Sequence, residues 1–164
     1  MTDVYRIKSR EEWQEILDNL FEELGLPAAL MDRENVVLQT SGERNPLCAA
    51  IREREGSLSF ICGQTQQFLS EQARKMKKPV VDMCEAGLVK LVVPFFLNGV
   101  CAGNVTACGA VCPEEEIETY LISQSTNVSE EDLEALCKEV PEIEREKVAQ
   151  AAFRLFQEIE KDTG

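Results

Sequence analysis

The chain of 164 residues contains no histidine. That removes Ser-His and Cys-His catalysis and every histidine-containing metal site. It also has no Gly-rich phosphate loop, no acidic motif at metal-ligand spacing and no Cys-x-x-Cys pair. Nucleotide-phosphate, zinc-ribbon, thioredoxin and ferredoxin patterns are therefore absent, and the chain is expected not to be an enzyme. No apolar run approaches the ~18 residues of a membrane span. The opening MTDVYRIKSREEW is polar and resembles no secretory signal. Both features predict a cytoplasmic protein without membrane contact. Positive charge is scarce: 17 Lys and Arg face 30 Asp and Glu, for a net charge of −13. Such a surface repels phosphate backbones and excludes direct nucleic-acid binding. Repeats, low-complexity runs and linkers are missing too, so residues 1–164 read as a single domain.

Cysteine, by contrast, is plentiful, at seven residues. In a reducing compartment these are buried small residues, metal ligands or redox groups more often than disulfides. Four of them fall in Lys78–Cys112, the most apolar stretch, which is centred on Asn98-Gly99. Asn-Gly between two apolar runs is the strongest short-range hairpin signal, because both turn residues take φ > 0. A two-residue turn there pairs Leu97 with Val100, Phe95 with Ala102, Val93 with Asn104, Leu91 with Thr106 and Val89 with Cys108. Alternation puts these residues on one face. That face is an apolar floor carrying Asn104, Thr106 and Cys108, whose polar groups need partners. Backbone or covering helices supply them, or a small-molecule pocket does.

The remaining elements follow in order. Ser9-Arg10-Glu11-Glu12 is a capping box, and Trp13, Leu17, Leu20 and Leu24 recur at helical spacing to Gly25. The first helix therefore spans residues 10–24. Ala28–Met31 and Val36–Thr40 predict a hairpin around Asp32–Asn35. Helices are expected over Leu47–Glu55 and Gly63–Met76, ended by Pro79. Strands Val80–Met83, Leu88–Leu97 and Val100–Cys108 come next. Pro113 before three glutamates predicts another helix start, Ser129 caps a further one, and Glu142–Lys161 closes the chain as an amphipathic helix. This order predicts an α+β fold, a five-stranded antiparallel PAS- or GAF-like sheet. Its core spans 28–112 with a helical insertion, helices cover one face, and residues 113–164 form C-terminal helices.

Lys-Pro-Val-Val from Lys78, Cys84, Ala86-Gly87-Leu88, Val93-Pro94-Phe95 and Asn98-Gly99 together resemble the PocR sensory domain family. Leu26-Pro27-Ala28-Ala29, Asp32, Cys48, Cys62, Val140-Pro141-Glu142 and the closing helix are also similar, so the resemblance covers about residues 17–156. It implies a variant PAS fold that binds a small hydrocarbon derivative, such as a diol, and signals to an output partner. In such proteins the output is a DNA-binding helix-turn-helix, a histidine kinase or a cyclase, hence transcription regulation or signal transduction. No such output segment follows Gly164, which suggests an excised or free-standing sensor. Glu85 stands where many members have histidine. On this fold Asn104, Thr106, Cys108 and the loop of Cys84 and Glu85 would supply polar contacts over a floor of Val89, Leu91, Val93 and Phe95.

The same fold lets Cys48, Cys62, Cys84 and Cys108 converge at one end of the pocket. Four thiolates suit zinc or an iron–sulfur cluster, so the alternative is a cysteine-based metal or redox sensor. Cys48 and Cys62 stand at expected helix starts, where dipoles lower a thiol pKa. Cys101 and Cys137 are expected in the core. The closing helix is expected to pack on the domain or on a second copy, as in a homodimer.

Overall fold

The computed structural model describes residues 3–163. A single turn, α1 (Val4–Ile7), precedes the first long helix, α2 (Arg10–Leu24). Ser9 caps α2: its hydroxyl accepts the Glu12 N–H, while its own N–H donates to the Glu12 carboxylate. The stripe Trp13, Leu17, Leu20 and Leu24 is buried. Trp13 Nε1 donates to the Val4 carbonyl at 3.0 Å, and its ring lies 4.8 Å from that of Phe95. The helix is thereby fixed in rotation as well as position.

Five strands form one antiparallel sheet: β1 (Ala28–Asp32), β2 (Val37–Ser41), β3 (Val80–Met83), β4 (Val89–Leu97) and β5 (Val100–Ala110). Their spatial order is β2-β1-β5-β4-β3. The insertion between β2 and β3 holds α3 (Pro46–Arg52), α4 (Glu55–Ser57), a π-helical turn (Leu58–Gly63) and α5 (Gln64–Met76). Helices α6 (Thr119–Thr126), α7 (Glu130–Cys137) and α8 (Arg145–Thr163) follow the sheet. The α+β class with an inserted helical segment is thus observed. No helix is long and apolar enough to cross a membrane among the described residues.

The hairpin turn is at Asn98-Gly99, with φ of 54° and 80°. Leu97 pairs with Val100 and Phe96 with Cys101, as the turn requires. The ladder then slips by one residue, and Phe95 pairs with Gly103 instead of Ala102. A bulge causes the slip, since Ala102 is an extra residue on β5. Gly103 makes the bulge possible: a Cβ there would lie 2.2 Å from the Met31 carbonyl oxygen and 2.9 Å from the Phe95 ring. Beyond it, Asn104 faces Pro94, Thr106 faces Val92 and Cys108 faces Lys90.

Because side chains alternate, the slip moves a whole set across the sheet. Val89, Leu91, Val93 and Phe95 lie on the face covered by α2 and α8, in one core with Trp13, Leu17, Val148 and Leu155. The opposite face packs Val80 and Val92 against Leu69 and Ala73 of α5. Helices therefore cover both faces, not one. Two boundaries also differ from expectation. The segment after Pro113 stays non-helical until Thr119, because the Glu118 N–H is held by the Ala86 carbonyl at 2.9 Å. Helix α8 starts at Arg145 because Glu142 instead bridges to Val111 beside the sheet.

Candidate functional site

A cavity of about 1050 Å³ opens between the sheet and the helical insertion. Its floor is the face that carries Lys90, Pro94 and Asn104, and its walls come from Asn35, Arg52, the π-helical turn and α5. The π turn sits inside an otherwise continuous helical run, a distortion often associated with function, and it contributes Leu58 and Cys62 to the lining.

The Asp32–Asn35 turn is built locally. The Asp32 carboxylate accepts the N–H groups of Glu34 (2.9 Å) and Val36 (3.0 Å). Asn35 takes a left-handed φ of 63°, which asparagine tolerates. This aims its amide at the cavity network. Gln66 Nε2 donates to Oδ1 of both Asn35 and Asn104, each at 3.1 Å. Asn104 Nδ2 donates to Asn35 Oδ1 at 3.0 Å, and Asn35 Nδ2 donates to Ser70 Oγ at 3.0 Å. Gln66 is buried, yet its Oε1 has no hydrogen-bond partner.

The cavity's charge runs against that of the chain. Five basic residues line it, Arg33, Arg52, Arg74, Lys77 and Lys90, against only Glu34 and Glu71. Arg74 is 3.5 Å from Glu71. The other four basic side chains make no ion pair among the described residues.

Of the ligand-contact residues expected from sequence, Asn104 lines this cavity. Val89, Leu91, Val93 and Phe95 do not, since the bulge turns them into the opposite core. The Thr106 hydroxyl is occupied across the strands, donating to the Leu91 carbonyl at 3.0 Å. Cys84, Glu85 and Cys108 lie outside the cavity lining; Glu85 is exposed in the turn that closes Cys84 N–H onto the Leu88 carbonyl at 2.8 Å. Cys101 lines the cavity instead of the core, because it precedes the bulge. Lys90, Gln66, Arg52 and Asn35 were not singled out from sequence. Lys90 left one signal, a lone charge in the apolar run Leu88–Leu97.

Cys48, Cys62, Cys84 and Cys108 come from α3, the π turn, the end of β3 and β5, and they gather next to the cavity, near enough for mutual electrostatic influence. Burial pushes the Cys48 thiol up to about 12, and the neighbouring Cys108 adds to the rise while the Asn45 amide opposes it. Burial likewise raises Cys62, against the pull of Arg52, and raises Cys84, against backbone N–H groups of Leu88 and Ala86. The expected lowering at helix starts does not occur. Cys62 sits within the π turn, and for Cys48 desolvation outweighs the dipole. Among the described residues no three Cys, Asp or Glu side chains are placed to hold a metal ion, so this geometry lends no support to zinc or an iron–sulfur cluster.

An antiparallel sheet thus carries a polar-floored cavity under the inserted helical segment, a shape suited to holding a small molecule. The chain belongs to the family of sensory domains found in PocR, whose model matches residues 7–160. The chain matches no curated protein and no solved structure.

Proposed function

We propose that the domain binds a small hydrocarbon derivative in the cavity between the sheet and the insertion, and passes its occupancy to an output partner. The observation that carries this reading is the cavity itself, with buried amides of Asn104 and Gln66 converging on an otherwise packed sheet face. Binding without turnover suits a lining that brings no histidine and no activated nucleophile to the site. Transmission is supported by the shared strand β4. Its Lys90 and Pro94 line the cavity, while Val89, Leu91 and Val93 on its other face pack in the core that holds α8. A shift of β4 on binding would reach α8 directly.

The test is a thermal-shift series with small alcohols, aldehydes and carboxylates. At least one compound should raise the melting temperature, by linkage of ligand to the folded state. Gln67 is exposed on α5 and lines the cavity. Gln67→Trp should reduce the shift by crowding the cavity while leaving the unliganded melting temperature in place. A shift left unchanged in this variant overturns the assignment of the site.

A further inference from the structure

We propose that the cavity selects a small hydroxylated organic anion over a neutral alcohol or diol. The inference rests on the sensory reading of the same cavity and specifies its ligand class. Lys90 carries most of it. The side chain is only 6% exposed, lies on the cavity floor, and has neither an ion pair nor a hydrogen bond among the described residues. Its stem is packed into the sheet while the ammonium faces the cavity with no counter-charge, an arrangement that offers a charge-assisted hydrogen bond to an anionic group in the cavity.

The surroundings point the same way. Five basic against two acidic lining residues leave a surplus of three positive charges in a chain of net charge −13. A positive concavity in an acidic surface concentrates field lines and draws in anions. Arg52 and Lys90 both act on Cys62, where each opposes the rise that burial causes, so the two cations share one region of the cavity.

Gln66 supplies the second element of recognition. The residue is 6% exposed, and its Oε1 is a buried acceptor without a donor. Its Nε2 is committed to Asn35 and Asn104, which fixes the amide's orientation and leaves Oε1 to accept. An O–H donor on the ligand satisfies it. An anionic group on Lys90 and a hydroxyl on Gln66 together define a hydroxycarboxylate or a hydroxylated phosphate ester. A diol would satisfy Gln66 and leave Lys90 uncompensated, which is the basis for discrimination.

Matched pairs test this by calorimetry at two salt concentrations: lactate against propane-1,2-diol, and glycerate or glycerol 3-phosphate against glycerol. The anionic member should bind at least tenfold tighter than its neutral partner, more so at low salt, and the better anion identifies carboxylate or phosphate. Lys90→Met should cut anion affinity by roughly 10–100-fold, the worth of a charge-assisted contact. It should leave the unliganded melting temperature in place or raise it, because Lys90 makes no ion pair that folding would lose. Lys90→Arg should retain the preference, which separates lost charge from lost folding. Equal or tighter binding of the neutral partners, or a preference that persists in Lys90→Met, overturns the anion class and leaves the sensory reading standing. Binding of none of these probes also overturns it; the sensory reading falls only if the wider thermal-shift series fails as well.

Discussion

Gln66 on α5 and Asn104 on β5 are joined by a hydrogen bond of 3.1 Å across the cavity edge. It ties the insertion to the sheet floor, and Asn35 at the β1–β2 turn completes the triangle. Three segments distant in sequence thus share one buried amide network, and a ligand entering the cavity meets all three.

The network's members should be energetically coupled. Asn104→Leu removes one of the two hydrogen bonds that Gln66 Nε2 donates and one of the two that Asn35 Oδ1 accepts, a loss of about 1–3 kcal/mol. Gln66→Leu should cost a similar amount. The double variant should cost less than the sum, with a coupling of about 0.5–3 kcal/mol, because both substitutions remove the same bond between Gln66 and Asn104. Urea denaturation of the four proteins measures this. Strict additivity would show that the contacts do not form in solution.

The bulge at Ala102-Gly103 should be the more stringent position in the hairpin. Gly99 has open space around it but a φ of 80°, so Gly99→Val meets backbone strain alone, about 1–2 kcal/mol. At Gly103 an added methyl meets the Met31 carbonyl at 2.2 Å, and that carbonyl belongs to the paired strand β1. Gly103→Ala should therefore lower the melting temperature more than Gly99→Val and disturb Met31 and Phe95 in amide and methyl spectra. A neutral Gly103→Ala would mean that β4 and β5 pair in the simple register.

That bulge also marks where sequence reasoning stopped working. Helix α2 was legible to the residue, because a capping box, an apolar stripe and a terminal glycine are all local signals. The Asn98-Gly99 turn was legible for the same reason. The register beyond it was not, since the slip answers to the approach of β1, about seventy residues upstream. Glycine inside an apolar strand was the available warning. One slipped residue then exchanged the two faces, so Val89, Leu91, Val93 and Phe95 went to the core and Lys90 to the cavity. Gln66 and Arg52 belong to helices whose polar positions look like ordinary solvated faces, and only tertiary packing encloses them.

The gathered thiols set a pH dependence. Cys48 ordinarily titrates near 9 in an unfolded chain and is held up to about 12 here, chiefly by burial; Cys62 and Cys84 shift in the same direction. Below pH 9 all three are neutral both folded and unfolded, and their burial contributes its full stability. As pH rises past 9 the unfolded chain releases these protons while the folded domain retains them, so unfolding is favoured progressively up to about 12. Lysine and tyrosine titrate in the same range, so the informative quantity is the difference between wild type and Cys48→Ala. Urea midpoints between pH 8 and 10.5 should fall more steeply for wild type than for the variant, whatever the variant's stability at pH 8. In the same window Cys48 should resist alkylation by iodoacetamide, because the thiolate is the reactive form. Parallel midpoint curves together with rapid alkylation of Cys48 in the folded domain would place that sulfur in water, not beside Cys108 under α3.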